Sequence, residues 1–118
     1  MEKKLLKQRV IEFSHSILII NDELERIRQF VIAKQLLRSG TAIGALVYEA
    51  EFAETRDDFI HKLKIALKET DETEYWLLLC KFSNAYPDAD PLIGDITEIK
   101  KLLISILLKS QNNLNRFK

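Results

Sequence analysis

Two carboxylate-x-x-His pairs, Glu12 with His15 and Asp58 with His61, have the spacing with which helical bundles hold di-iron centres. Their placement argues against a shared metal. Val10 and Phe13 belong to the apolar seam of the first helix, which turns His15 outward. Asp58 falls in the first turn of a third helix, whereas Glu12 stands three turns along the first. At about 1.5 Å per residue the two pairs differ in height by more than roughly 10 Å. Both histidines are therefore read as exposed helical residues, and no metal site is expected. Cys80 is the one cysteine and lies among apolar neighbours, the setting of a small buried core residue in a reducing compartment. Glu69, Glu72 and Glu74 in "LKETDETEYWLLL" read as a solvated helix face near Lys68. Glu49 has Lys62, or an amide at the start of the third helix, as its expected structural partner. No catalytic set converges, and no cofactor or small-molecule substrate is implied.

Nucleic-acid binding would have to come from a local patch, because the 18 basic and 18 acidic residues cancel. The cancellation is uneven: residues 1–48 carry a net +3, 49–98 a net −8 and 99–118 a net +5. Lys3, Lys4, Lys7 and Lys109, with Arg116 near the C-terminus and Arg38 in mid-chain, are the candidate phosphate contacts. Glu49, Glu51, Glu54, Asp57 and Asp58 are expected at the same end of the molecule as most of them, so mutual neutralisation within the fold competes with RNA or DNA binding.

Four elements must position these groups. Leu6, Val10, Phe13, Ile17, Ile20 and Leu24 recur at alternating spacings of four and three, the seam of a helix. Asn21, and Asp22 with Glu25, resemble an N-cap and capping box, so a second helix is expected to start there. One continuous helix over residues 3–50 stays open as an alternative, since no Gly or Pro enforces the break. The second helix runs to about residue 52 with Ala33, Leu36, Gly40, Ile43, Val47 and Ala50 on its stripe. Thr55 and Asp58 cap a third, carrying Phe59, Leu63, Ala66, Thr70, Thr73, Leu77 and Cys80. After the "NAYPDADP" turn, Asp90 as N-cap and Pro91 at the first helical position open a fourth, with Leu92, Ile96, Ile99, Leu103 and Ile106. Short connections make this a single domain over 1–118: an all-α, antiparallel, up-down-up-down four-helix bundle. No apolar run approaches the length of a bilayer span and no signal segment opens the chain, so a soluble cytoplasmic protein is expected.

The stretch "SGTAIGA" concentrates small residues on the second helix. Gly40 and Gly44, one turn apart, are expected to press against Ala66, Thr70 and Thr73 of the third helix. A phosphate-cradling loop is the rival reading, but no strand precedes the segment and helical periodicity continues on both sides. Leu5, Ile11, Leu18 and Ile19, with Ile104 and Leu108, fall outside the core seams. Such apolar surface usually marks an interface, which makes a second copy of the chain the first expected partner.

Gln35-Leu36, Arg38-Ser39, Ile43, Glu49, Asp58-Phe59-Ile60, Lys62-Leu63, Ile65 to Glu69, Glu72-Thr73 and Tyr75-Trp76-Leu77 form blocks that resemble the bacterial family of 23S rRNA intervening-sequence proteins. The resemblance covers the second and third helices. It departs from the family pattern at Ala42 and Leu46, where Ser and Asn are usual. It implies an antiparallel bundle, a homo-oligomer that is commonly a pentamer, and no enzymatic activity. Relatives associated with diversity-generating reverse transcriptases imply contact with nucleic acid or a ribonucleoprotein; a protein-binding scaffold or adaptor without nucleic-acid contact is the alternative.

Overall fold

The structure is a computed structural model that describes residues 1–116, and side chains as far as residue 112. It consists of α1 (Glu2–Arg26), α2 (Phe30–Glu51), α3 (Arg56–Lys81) and α4 (Asp90–Arg116). The described residues contain no strand. Each helix packs on two neighbours, α1 and α3 both lying against α2 and α4, while the diagonal pairs stay apart. Short connections make successive helices antiparallel, and the result is an elongated up-down bundle of 53 × 21 × 20 Å.

The seams anticipated from spacing form the core. All six apolar positions of the α1 seam are buried, as are Leu36, Ile43 and Val47 on α2 and Ile96, Ile99 and Leu103 on α4. On α3 the first inward residue is Ile60, while Phe59 is only half-buried. Buried hydroxyls are satisfied locally: Thr70 donates to the Ala66 carbonyl at 2.8 Å and Thr73 to that of Glu69 at 2.7 Å. Cys80 is a buried free thiol whose pKa is pushed up to about 11 by desolvation, so it stays neutral and unreactive. By length and composition α2 could cross a membrane. Here its apolar stripe is spent on the bundle core, and Arg38 and Glu49 point outward.

The α1–α2 boundary corrects the expectation. Asp22 does not open a helix; it pairs with Arg26 one turn on, at 2.8 Å, within α1. Asn21 is buried and donates from Nδ2 to the Ala33 carbonyl at 2.8 Å, tying α1 to the first turns of α2. The break comes at Arg28, which adopts φ 64. Its amide donates to the Glu25 carbonyl and that of Gln29 to Leu24, the paired bonds of a Schellman motif. That geometry stops the helix without Gly or Pro, and it rules out a continuous helix over 3–50. A side chain in this left-handed conformation costs about 1–2 kcal/mol. Arg28→Gly is therefore expected to raise stability by about 1 kcal/mol, read from denaturant unfolding. At the next corner Thr55 caps α3 as anticipated, accepting from the Asp58 amide at 3.0 Å. The α4 cap lies one residue earlier than expected: Ala89 accepts from the Ile93 amide, and the Asp88 carboxylate accepts from the Asp90 amide.

The small residues of α2 also face a different helix from the one expected. A Cβ built on Gly40 would lie 2.8 Å from Cδ1 and Cγ1 of Ile17, and one on Gly44 would lie 3.2 Å from Ser14 Oγ and 3.6 Å from Val10 Cβ. All of these neighbours belong to α1. The glycines admit α1 to α2, whereas Ala66, Thr70 and Thr73 are core residues of α3.

Candidate functional site

Arg38 projects from the middle of α2 towards α3 and gathers a polar cluster. Its Nε donates to Gln35 Oε1 at 3.2 Å, one guanidinium nitrogen reaches Glu69 Oε1 at 3.3 Å, and the other donates to Glu72. The hydrogen bond to Glu72 raises the Arg38 pKa further. Held by Arg38, Glu72 titrates below the ordinary carboxylate range, while Glu69, partly desolvated and beside the Glu72 carboxylate, is pushed above it. Trp76, one turn beyond Glu72, packs edge-on against Tyr75 with centroids 5.0 Å apart. Its indole N–H is buried beside the Glu72 carboxylate, whose pKa it helps to lower, without a well-formed hydrogen bond among the described residues. Ser39 and Thr73 turn their hydroxyls back onto their own helices beneath the cluster.

Opposite pKa shifts give opposite mutational signs. The ionised form of Glu72 contributes stability above pH 4.5, and this is lost as pH falls through its lowered folded-state value; Glu69, raised, works in the reverse direction. At neutral pH, Glu72→Gln is expected to lower the thermal midpoint and Glu69→Gln to leave it unchanged or raise it.

Three of the six candidate phosphate contacts, Arg38, Lys7 and Lys109, are already paired with carboxylates. Lys7 pairs with Glu51 at 2.8 Å, which raises the lysine pKa, and its ammonium also lies 4.8 Å from the Tyr48 ring centroid. Lys109 pairs with Glu2 at 2.7 Å, holding that carboxylate below its usual range with help from Ser105. Lys3 sits 4.7 Å over the Phe59 ring. Lys4 is exposed with no carboxylate partner among the described residues, and the Arg116 side chain lies outside them. Lys62 meets Glu49 at 3.7 Å, as anticipated. Lys100 meets Asp71 at 2.7 Å and Arg9 meets Glu98 at 3.7 Å, so ion pairs run the length of the bundle. Glu12, His15 and His61 are exposed. Among the described residues no group of three His, Cys, Asp or Glu side chains is arranged to hold a metal.

Leu5, Ile11, Leu18, Ile19, Ile104 and Leu108 are all exposed, by 40–56%. Spacing did not single out Val31, Phe52 and Phe82, which are exposed by 80–83%. They stand at or next to helix ends, where too few turns remain for periodicity to assign a face.

The cluster brings together residues from widely separated sequence blocks: Gln35, Arg38 and Ser39 from α2, and Glu69, Glu72, Thr73 and Trp76 from α3. The sequence model of the 23S rRNA-intervening sequence protein family matches residues 2–105. The chain belongs to this family. The crystal structure of a protein of unknown function from the S23 ribosomal protein family of Bacteroides thetaiotaomicron VPI-5482 is similar to it, with a TM-score of 0.86 and 45% identity over 91% of this chain and 98% of that one. No curated protein matches. For a 23S rRNA-intervening sequence protein, the Arg38 cluster is where the recognisable blocks meet in space, and its chemistry is that of a clamp between α2 and α3.

Proposed function

We propose that this chain acts by association and not by catalysis: it forms a closed homo-oligomer in the bacterial cytoplasm, a pentamer first, that serves as a protein-binding scaffold. The observation that carries this reading is the pair of apolar edges left uncovered by the bundle. Ile11 and Leu18 each stand one turn beyond Lys7 and Ser14, the residues that meet Glu51 and Gly44 of α2, so they lie along the α1–α2 edge. Ile104 stands one turn beyond Lys100, which meets Asp71 of α3, and with Leu108 it lies along the α3–α4 edge. Leu5 and Ile19 occupy the other flank of α1, with Ile19 near Leu92 at the start of α4. Edges on opposite sides of a square bundle suit head-to-tail contacts, which close into a ring when the rotation permits.

A second reading, contact with RNA or DNA, has a narrower basis. Lys64 and Lys68 stand one turn apart on α3, and neither has a carboxylate partner among the described residues. Binding through them would weaken steeply with salt, since each phosphate contact releases a counterion. A salt series of RNA and DNA binding, repeated with Lys64→Glu/Lys68→Glu, separates the readings. The scaffold reading expects no binding above that of an unrelated neutral protein. Affinity that falls linearly on a log–log salt plot and disappears in the double variant would establish the other.

A further inference from the structure

Where α1 begins and α4 finishes, the core is not fully closed. Leu6, Val47, Leu63 and Ile106, one from each helix, surround a cavity of about 90 Å³ bordered by the Phe59 ring. All four are buried. Lys3, Lys7 and Glu51 complete the lining, so polar partners for water are confined to that side, while the four apolar side chains favour an alkyl guest. The cavity is smaller than the ~150 Å³ apolar cavity known to take up benzene, so its guest is a short alkyl group.

Beyond Phe59 lies a polar groove of about 390 Å³, between the end of α2 and the start of α3, lined by Lys3, Arg56 and Glu54 among others. Cavity and groove share Lys3, Glu51 and Phe59. Lys7 holds Glu51. Neither Lys3 nor Arg56 has a carboxylate partner among the described residues, and Glu54 is the remaining acidic group on the groove wall.

We infer that cavity and groove together bind a short-chain aliphatic carboxylate, its tail among Leu6, Val47, Leu63 and Ile106 and its head between Lys3 and Arg56. Calorimetric titration of the full chain with hexanoate, hexanol and hexylammonium tests this. Hexanoate should bind saturably at one site per chain, and hexylammonium at least tenfold more weakly. Lys3→Glu/Arg56→Glu should weaken hexanoate at least tenfold while leaving hexanol unchanged. Leu6→Phe, which fills the cavity, should remove binding of both; if that variant does not fold, Val47→Ile should weaken both. Unsaturable hexanoate binding, equal affinity for hexylammonium, or full binding by the filled variant would overturn the assignment.

Discussion

Gly44→Leu should lower the thermal midpoint by several degrees, measured at fixed protein concentration. With Ser14 Oγ 3.2 Å and Val10 Cβ 3.6 Å from the position of the first added carbon, a branched side chain has nowhere to go unless α1 and α2 separate. Overpacking of this kind costs about 1–3 kcal/mol. Gly94 supplies the control. It is exposed on α4, and a Cβ there would meet nothing within 4 Å. Gly94→Ala should therefore raise the midpoint, because Ala is favoured over Gly in a helix by roughly 1 kcal/mol. A rise of the midpoint in Gly44→Leu as well as in Gly94→Ala would refute the close approach of α1 to α2.

Ile17→Ala is expected to cost more, about 2–5 kcal/mol in denaturant unfolding, because the side chain is fully buried and its loss leaves a cavity. The same residue limits Gly40, where an added Cβ would come within 2.8 Å of Ile17 Cδ1. Gly40→Ala alone should destabilise. Combined with Ile17→Ala, which removes Cδ1, Cγ1 and Cγ2 together, it should cost less than the two single changes added together. Neighbours that share space are non-additive, by about 0.5 kcal/mol or more. Strict additivity would show that the two residues do not press on each other.

The heptad-like spacings of Leu6 to Leu24 and Leu92 to Ile106 placed the core correctly, since burying an apolar stripe dominates the energetics of a bundle. Spacing reports which face of a helix is inward but not which neighbour it meets. That is why Gly40 and Gly44 could be recognised as packing residues and yet be assigned to α3 instead of α1. The α1–α2 corner was hidden for a different reason. Asn21, Asp22 and Glu25 have the composition of a helix start, while the actual stop rests on the left-handed conformation of Arg28, a residue type that gives no hint of it. Phe59 and Ile60 show the limit of register at a helix start, where one residue decides which side chain is inward. The Arg38 cluster was visible only in fragments. Its members lie more than 30 residues apart, and Glu69 and Glu72 read as a solvated face until α2 was set beside α3. The basic ends show the reverse case: Lys7 and Lys109 have the composition of a binding patch, and the fold gives them to Glu51 and Glu2.

Self-association is the claim on which the functional account stands, and its direct measurement is the mass of the purified chain by light scattering across micromolar concentrations. A single species at a multiple of 13.7 kDa, five-fold first, is the expected result. Ile11→Glu/Leu18→Glu should shift it towards 13.7 kDa while keeping its helical circular dichroism. A stable particle of 13.7 kDa for the unmodified chain at every concentration would contradict the account.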